Sequence, residues 1–247
     1  GIIEITFDKN DAAATGTMSA QKVNANNTVD LIGCAFTSPG KTFAGWATSP
    51  TGAIQYADKA PITLGATAVT LYARWNCVVT FDKNGGSTPS FVYKTVLVGD
   101  PYGELATTTR AGYAFAGWWP EAGGGGSARI TNETIVDKAS HTLYAKWAGL
   151  TNTISFDAQG GAGLSMTSKN VIYGTQYGDL ATVSRDGFIF GGWYSGPNGT
   201  GSLIQVGTTV SIVGPHTLYA RWNVTVTFDT QGGSAVSPQI VISGGKV

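Results

Sequence analysis

Thr-Leu-Tyr-Ala-Arg-Trp, residues 70–75, is written again as Thr-Leu-Tyr-Ala-Lys-Trp at Thr142–Trp147 and unchanged at Thr217–Trp222. The segment alternates. In the middle copy Leu143, Ala145 and Trp147 point one way and Tyr144 and Lys146 the other, the pattern of a half-buried strand. Working outward, an apolar strand ending in Phe-Asp lies a few residues past each copy, at Val79–Asp82, Ile154–Asp157 and Val226–Asp229, and another opens the chain at Ile5–Asp8. Between each opening strand and its closing strand stands a Gly-Trp pair, at Gly45-Trp46, Gly117-Trp118 and Gly192-Trp193. The closing tryptophans are 72 and then 75 residues apart. A period this long marks small domains in tandem, not a solenoid of short units. The expected division is 1–75, 76–147 and 148–222, with a partial fourth copy at 223–247. Repetition of the same residues argues against one unique active site.

Composition narrows the class. Gly, at 35 residues, exceeds its usual share and fits many tight turns, while 42% hydrophobic residues are enough to build cores. The 15 basic and 15 acidic residues cancel, and no basic cluster stands out, so nothing draws the chain electrostatically to nucleic acid or an anionic membrane. No run of 18 apolar residues offers a membrane-spanning helix. The chain opens inside a strand pattern and stops inside a repeat, and reads as a processed or excised piece of something longer, ordered, secreted and β-rich.

Apolar residues at helical spacing are scarce, so the fold class expected is all-β or α+β with little helix. The second copy reads as strands at Cys77–Asp82, Phe91–Val98, Tyr113–Trp119 and His141–Trp147. Asn84-Gly85-Gly86 marks a turn, because both central residues tolerate positive φ. A helical turn is expected near Tyr102–Ala106 and a loop over Gly123–Ser127. The third copy repeats the layout at Thr153–Asp157, Gly160-Gly161, Val171–Tyr173, Tyr177–Ala181, Phe188–Tyr194 and Gly214–Trp222. Val79 and Phe81 share a face opposite Thr80 and Asp82, so Phe81, Leu143, Trp147 and Trp118 are expected to form one aromatic core. Units of this size are marginal and need large aromatics inside. Asn76-Cys77 and Asn223 are too short to be flexible linkers and favour a stiff, extended arrangement, whereas Ala148–Asn152, with Gly149, is the expected bend.

The pattern F-D-x-[NQ]-G-G, then G-[YF]-x-F-x-G-W at Gly112–Trp118 and Gly187–Trp193, then T-L-Y-A-x-W, resembles the Listeria–Bacteroides repeat family, also called the internalin B-type repeat. The resemblance covers the whole chain. It implies small β-grasp-like domains strung head to tail in surface proteins as stalks, spacers or adhesive modules, and brings no catalytic residues with it. The first copy departs from the pattern: Asn10-Asp11 stands in place of the Gly-Gly turn, and Gly40–Phe43 lacks the aromatic after Gly. A longer, distorted first hairpin is expected there.

Residues able to do chemistry are few. His141 and His216 precede two closing strands, Val69 takes their place in the first copy, and no carboxylate or nucleophile recurs beside them, so they read as structural. Asp8, Asp82, Asp157 and Asp229 recur singly. A Ca²⁺ loop needs several oxygen ligands at close spacing, so capping of the following turn is the better reading. Phosphate-binding, zinc-hydrolase and nucleophile-elbow motifs are missing from the sequence, and Gly123–Gly126 has no following Lys or helix. Cofactors and metals are therefore expected to be none. Cys34 and Cys77 could pair as a disulfide or remain small buried thiols; the second is favoured because the other copies manage without either. Sequons at Asn26, Asn132, Asn198 and Asn223 are no more than a Thr-rich chain throws up by chance.

Two functions follow. One is a non-enzymatic structural or adhesive extracellular or cell-surface module, a stalk, spacer or fibre subunit, whose partners are other protein chains or cell-surface components. The other is a carbohydrate- or cell-wall-binding module in which exposed Trp119, Tyr194 and Tyr102 stack on sugar rings. Trp119 must face away from the core if Trp118 faces it, though its counterparts Ala47 and Tyr194 do not repeat it. The fourth copy has an opening strand without its closing strand, an edge open to the third domain or to head-to-tail self-association.

Overall fold

The computed structural model describes residues 1–123 and 127–243. Two compact units result, Gly1–Thr109 with Phe115–Lys146, and Arg110–Ala114 with Trp147–Val247. In chain order the strands are β1 (Ile2–Asp8), β2 (Gln21–Asn24), β3 (Thr28–Asp30), β4 (Thr42–Ala47), β5 (Pro61–Thr63), β6 (Val69–Asp82), β7 (Tyr93–Leu97), β8 (Tyr113–Trp119) and β9 (His141–Gly149). They continue with β10 (Thr151–Asp157), β11 (Ser168–Ile172), β12 (Ile189–Tyr194), β13 (Leu203–Ile204), β14 (His216–Val226) and β15 (Gln239–Ile242). The chain is all-β in tandem repeats; one 3₁₀ turn, Pro197–Gly199, is the helical structure found among the described residues.

Each repeat builds the same mixed four-stranded sheet. The opening and closing strands lie side by side and parallel, with the second strand antiparallel on the outer side of the first and the Gly-Trp strand on the outer side of the last, antiparallel to it in repeats 1 and 3. The order is β2-β1-β6-β4 in repeat 1, β7-β6-β9-β8 in repeat 2 and β11-β10-β14-β12 in repeat 3. The parallel registers are equivalent: Ile5–Asp8 against Val69–Tyr72, Val79–Asp82 against His141–Tyr144, and Ile154–Asp157 against His216–Tyr219. Parallel neighbours need a long crossover. Here two loop segments provide it and pair with each other, as β3 with β5 in repeat 1, and through Tyr102 N–H to the Thr134 carbonyl (2.9 Å) and Tyr177 N–H to that of Thr208 (2.9 Å) in the other two.

That pairing corrects one expectation. The chain near Tyr102–Ala106 is not helical, because Gly103 sits at positive φ and its N–H goes to the Asn132 carbonyl, across the crossover instead of along it. Tyr177–Ala181, its counterpart in the third copy, is likewise loop. A second correction concerns Asn76-Cys77, which are not a linker. Val69–Asp82 is a run of β-branched, aromatic and other strand-compatible residues without Gly or Pro, and it forms one strand of 14 residues. Leu71, Ala73 and Trp75 on it are buried in repeat 1, and Cys77, Val79 and Phe81 in repeat 2. At the next boundary Gly149 ends β9, and β10 starts after Leu150. The turn at Asn84-Gly85 forms as expected, at φ 43° and 85°, yet the second strand waits until Tyr93. The expected Gly-rich loop falls largely on residues 124–126, outside the described residues.

Candidate functional site

The residues that recur in every copy converge on the parallel strand pair. Each Phe-Asp motif ends on an Asp whose carboxylate accepts the N–H two residues on: Asp8 from Asn10 at 2.7 Å, Asp82 from Asn84 at 2.8 Å, Asp157 from Gln159 at 2.8 Å and Asp229 from Gln231 at 3.0 Å. This Asx turn holds the donating residue at φ of 49°, 43°, 49° and 47° respectively. So placed, the Asn side chain reaches over to the closing strand: Asn10 Nδ2 donates to the Ala73 carbonyl and Asn84 Nδ2 to that of Ala145, both at 3.0 Å. The closing tryptophan reaches back. Trp75 Nε1 donates to the Lys9 carbonyl and Trp222 Nε1 to that of Ala158, both at 2.8 Å. Two motifs some 60 residues apart in sequence thus lock onto one another.

Behind the pair lies the aromatic core. Trp46, Trp118 and Trp193 are 0%, 1% and 2% exposed, each with the Phe of its opening strand against the indole: Phe7 at 5.0 Å, Phe81 and Phe156 at 4.8 Å. The Gly before each Trp has φ of 145°, 115° and 110°, and the ladder slips register there in β4 and β12. A bulge of this kind takes Gly; a Cβ on Gly45 would stand 2.8 Å from the Tyr56 carbonyl oxygen. Trp118 and Trp193 donate to the carbonyls of Ala106 (2.7 Å) and Ala181 (2.8 Å), whereas Trp46 Nε1 meets no acceptor among the described residues.

Both histidines have partners that sequence spacing does not announce. Tyr102 and Tyr177 hydroxyls lie 2.6 and 2.7 Å from Nε2 of His141 and His216, while Nδ1 of each faces a carbonyl, Ala139 or Gly214. A carbonyl can only accept, so Nδ1 carries the proton and Nε2 takes the phenol's. Burial raises both phenols, and Tyr102, with Asp137 and Cys77 adding to the effect, is pushed up to about 12. In repeat 1, buried Leu31 occupies the place of the tyrosine and Val69 that of the histidine, an apolar pair for a polar one. The crossover is also tied from the second strand: Lys94 Nζ donates to the carbonyls of Tyr102 and Glu104, Lys169 Nζ to those of Tyr177 and Asp179, and Gln21 Nε2 to that of Asp30. The first copy's Asp11 is used in its own way. It is paired with Lys41 at 2.7 Å and with the Ser38 hydroxyl, and although burial opposes ionisation these bonds hold its carboxyl below the usual range.

Each aromatic residue expected to stack on a ligand has neighbours within its own repeat. Tyr102 is 2% exposed with its hydroxyl committed to His141, so the expectation of an open ring there is corrected: it belongs to the core. Tyr194 is 9% exposed and has the Arg221 guanidinium 4.6 Å over its ring. Trp119 is half-buried with the Lys146 ammonium 4.3 Å over it. Cys34 and Cys77 are both free thiols, so the disulfide alternative is not realised. Cys77 is buried in β6, Cys34 lies at the margin of the first core, and burial raises both thiols, the setting of inert cysteines. An open depression of about 500 Å³ lies on repeat 2 between Thr80, Asp82, Pro89, Val92 and Tyr144. No three His, Cys, Asp or Glu side chains gather as a metal site among the described residues.

The model of the Listeria-Bacteroides repeat domain matches residues 4–74, 78–146 and 153–221. The chain belongs to this family. Each matched span of the Listeria-Bacteroides repeat runs from an opening strand to a closing one. Among relatives, the chain is 30% identical over 95% of its length to a provisionally named Gly-rich membrane protein of Evansella cellulosilytica, of which the match covers 27%. It is 28% identical over 58% of its length to Internalin H of Listeria monocytogenes, covering 24% of that protein. The chain therefore spans about a quarter of the curated relatives it matches. No helix among the described residues is long and apolar enough to cross a membrane.

Proposed function

We propose that the chain serves as a non-enzymatic spacer on a cell surface, its repeats acting as structural units that present or connect other parts of a longer protein. The observation that carries this reading is how the recurring side chains are used. Among the described residues the recurring Asp, Asn, Phe, Gly-Trp, Tyr-His and closing Trp are engaged in holding the sheet, so what the repeats share serves the fold. The names of the relatives, a membrane protein and an internalin, support placement at the surface, with other protein chains or wall components as partners. The strand order second-first-last-third, with first and last parallel, supports a β-grasp-like unit. The domain division 1–75, 76–147, 148–222 and 223–247 belongs to the same proposal. Glycan-array and cell-wall pull-down assays on the chain should show no saturable binding. Binding that is lost in Trp119→Ala would replace the spacer with the carbohydrate reading. For self-association, the surface on offer is the outer edge of β15, where Ile240 is 65% exposed. Equal monomers with and without residues 224–247 in sedimentation would remove it.

A further inference from the structure

We infer that each repeat is a load-bearing clamp, built so that tension along the chain shears its parallel strand pair. This rests on the spacer reading for its biological use, but the mechanics are a property of the chain itself. Tension enters a repeat at the start of its opening strand and leaves at the end of its closing strand. Those strands are neighbours and point the same way, with Thr6 opposite Thr70 and Phe7 opposite Leu71 in repeat 1. One is pulled backward and the other forward along their common axis, so the hydrogen bonds between them are strained together and must fail together. Were the two strands antiparallel, the same pull would part them one bond at a time. The equivalent registers in repeats 2 and 3 give the same loading.

First, the bonds outside the ladder cross this same pair. Asn10 to Ala73 and Trp75 to Lys9 tie its ends in repeat 1, Asn84 to Ala145 in repeat 2 and Trp222 to Ala158 in repeat 3, while Thr6 and Thr70 hydroxyls meet across it at 2.8 Å. The repeated motifs therefore reinforce the interface that tension loads. Second, β6 is one strand that closes repeat 1 and opens repeat 2, so force passes between them along an extended backbone with no slack to take up.

Single-molecule pulling tests this. Stretched between its termini, the intact chain should unfold in three events at forces several-fold above the force needed when repeat 1 is pulled between Gly1 and an azide-bearing residue placed at exposed Ala68, which peels β1 from the start of β6. Trp222→Phe, which removes the tie to Ala158 in repeat 3, should lower the force of one of the three events and leave two unchanged. Equal forces in both directions, or unfolding of the intact chain without resolved events, would overturn the clamp. Neither result bears on the spacer reading, which stands or falls on the binding assays.

Discussion

At the scale of single residues, the three core tryptophans look interchangeable in the sequence and are not so in the structure. Trp193→Phe forfeits the bond to the Ala181 carbonyl and should cost about 1–2 kcal/mol more than Trp46→Phe, whose indole N–H has no such partner to lose. Denaturant melts of the two variants make the comparison. Trp193→Ala should cost about 3–5 kcal/mol. The Tyr102 phenol gives a pH signature. Its ionisation is held from 10.0 to about 12 in the folded chain, so the unfolded chain releases the proton first. The stabilisation is complete below pH 10 and drains away as pH rises toward 12. Tyr102→Phe should weaken that alkaline loss while costing about 1 kcal/mol at neutral pH. What was legible here follows from locality. The Asp-to-amide turn involves residues two apart and can be read from F-D-x-[NQ]; the tyrosine paired with each histidine lies 39 residues away in a loop, and no local pattern connects them.

Among the elements, the alternation of the closing strand is enough to assign its faces, and the aromatic core follows from it. The crossover was not legible in the same way. Its partners are other loop segments, and a stretch such as Tyr102–Ala106 looks helical only while the distant carbonyl of Asn132 is out of view. Nor could spacing show that Asn76-Cys77 continues a strand, since two polar or small residues between apolar runs suit a linker as well. The Gly-Trp bulge is the place to test an element. Gly45→Ala brings a Cβ against a backbone carbonyl at positive φ and should cost about 2 kcal/mol or more, whereas alanine at exposed Gly65, with open space around it, should be near neutral. Sharing of β6 has its own consequence for stability. Trp46→Ala in repeat 1 should also speed hydrogen exchange at Val79 and Phe81 in repeat 2, because loosening one half of a strand releases the other.

For the whole molecule, neutral net charge and three copies of one sheet describe a chain whose design lies in repetition, and the comparisons place it as about a quarter of much longer relatives. Joining first strand to last also governs how such a chain comes into being. Thr6 cannot meet Thr70 until the intervening residues, 64 positions of separation, have been made. Contacts this distant carry a large loop-closure cost before they are rewarded, and folding rates fall accordingly. Refolding in stopped-flow should therefore run on the millisecond-to-second scale of non-local β-proteins, not in the microseconds open to helical bundles. During synthesis a repeat stays unclosed until its final strand has emerged, and then completes all at once, leaving the first half of β6 folded and the second half displayed as the template on which the following repeat begins.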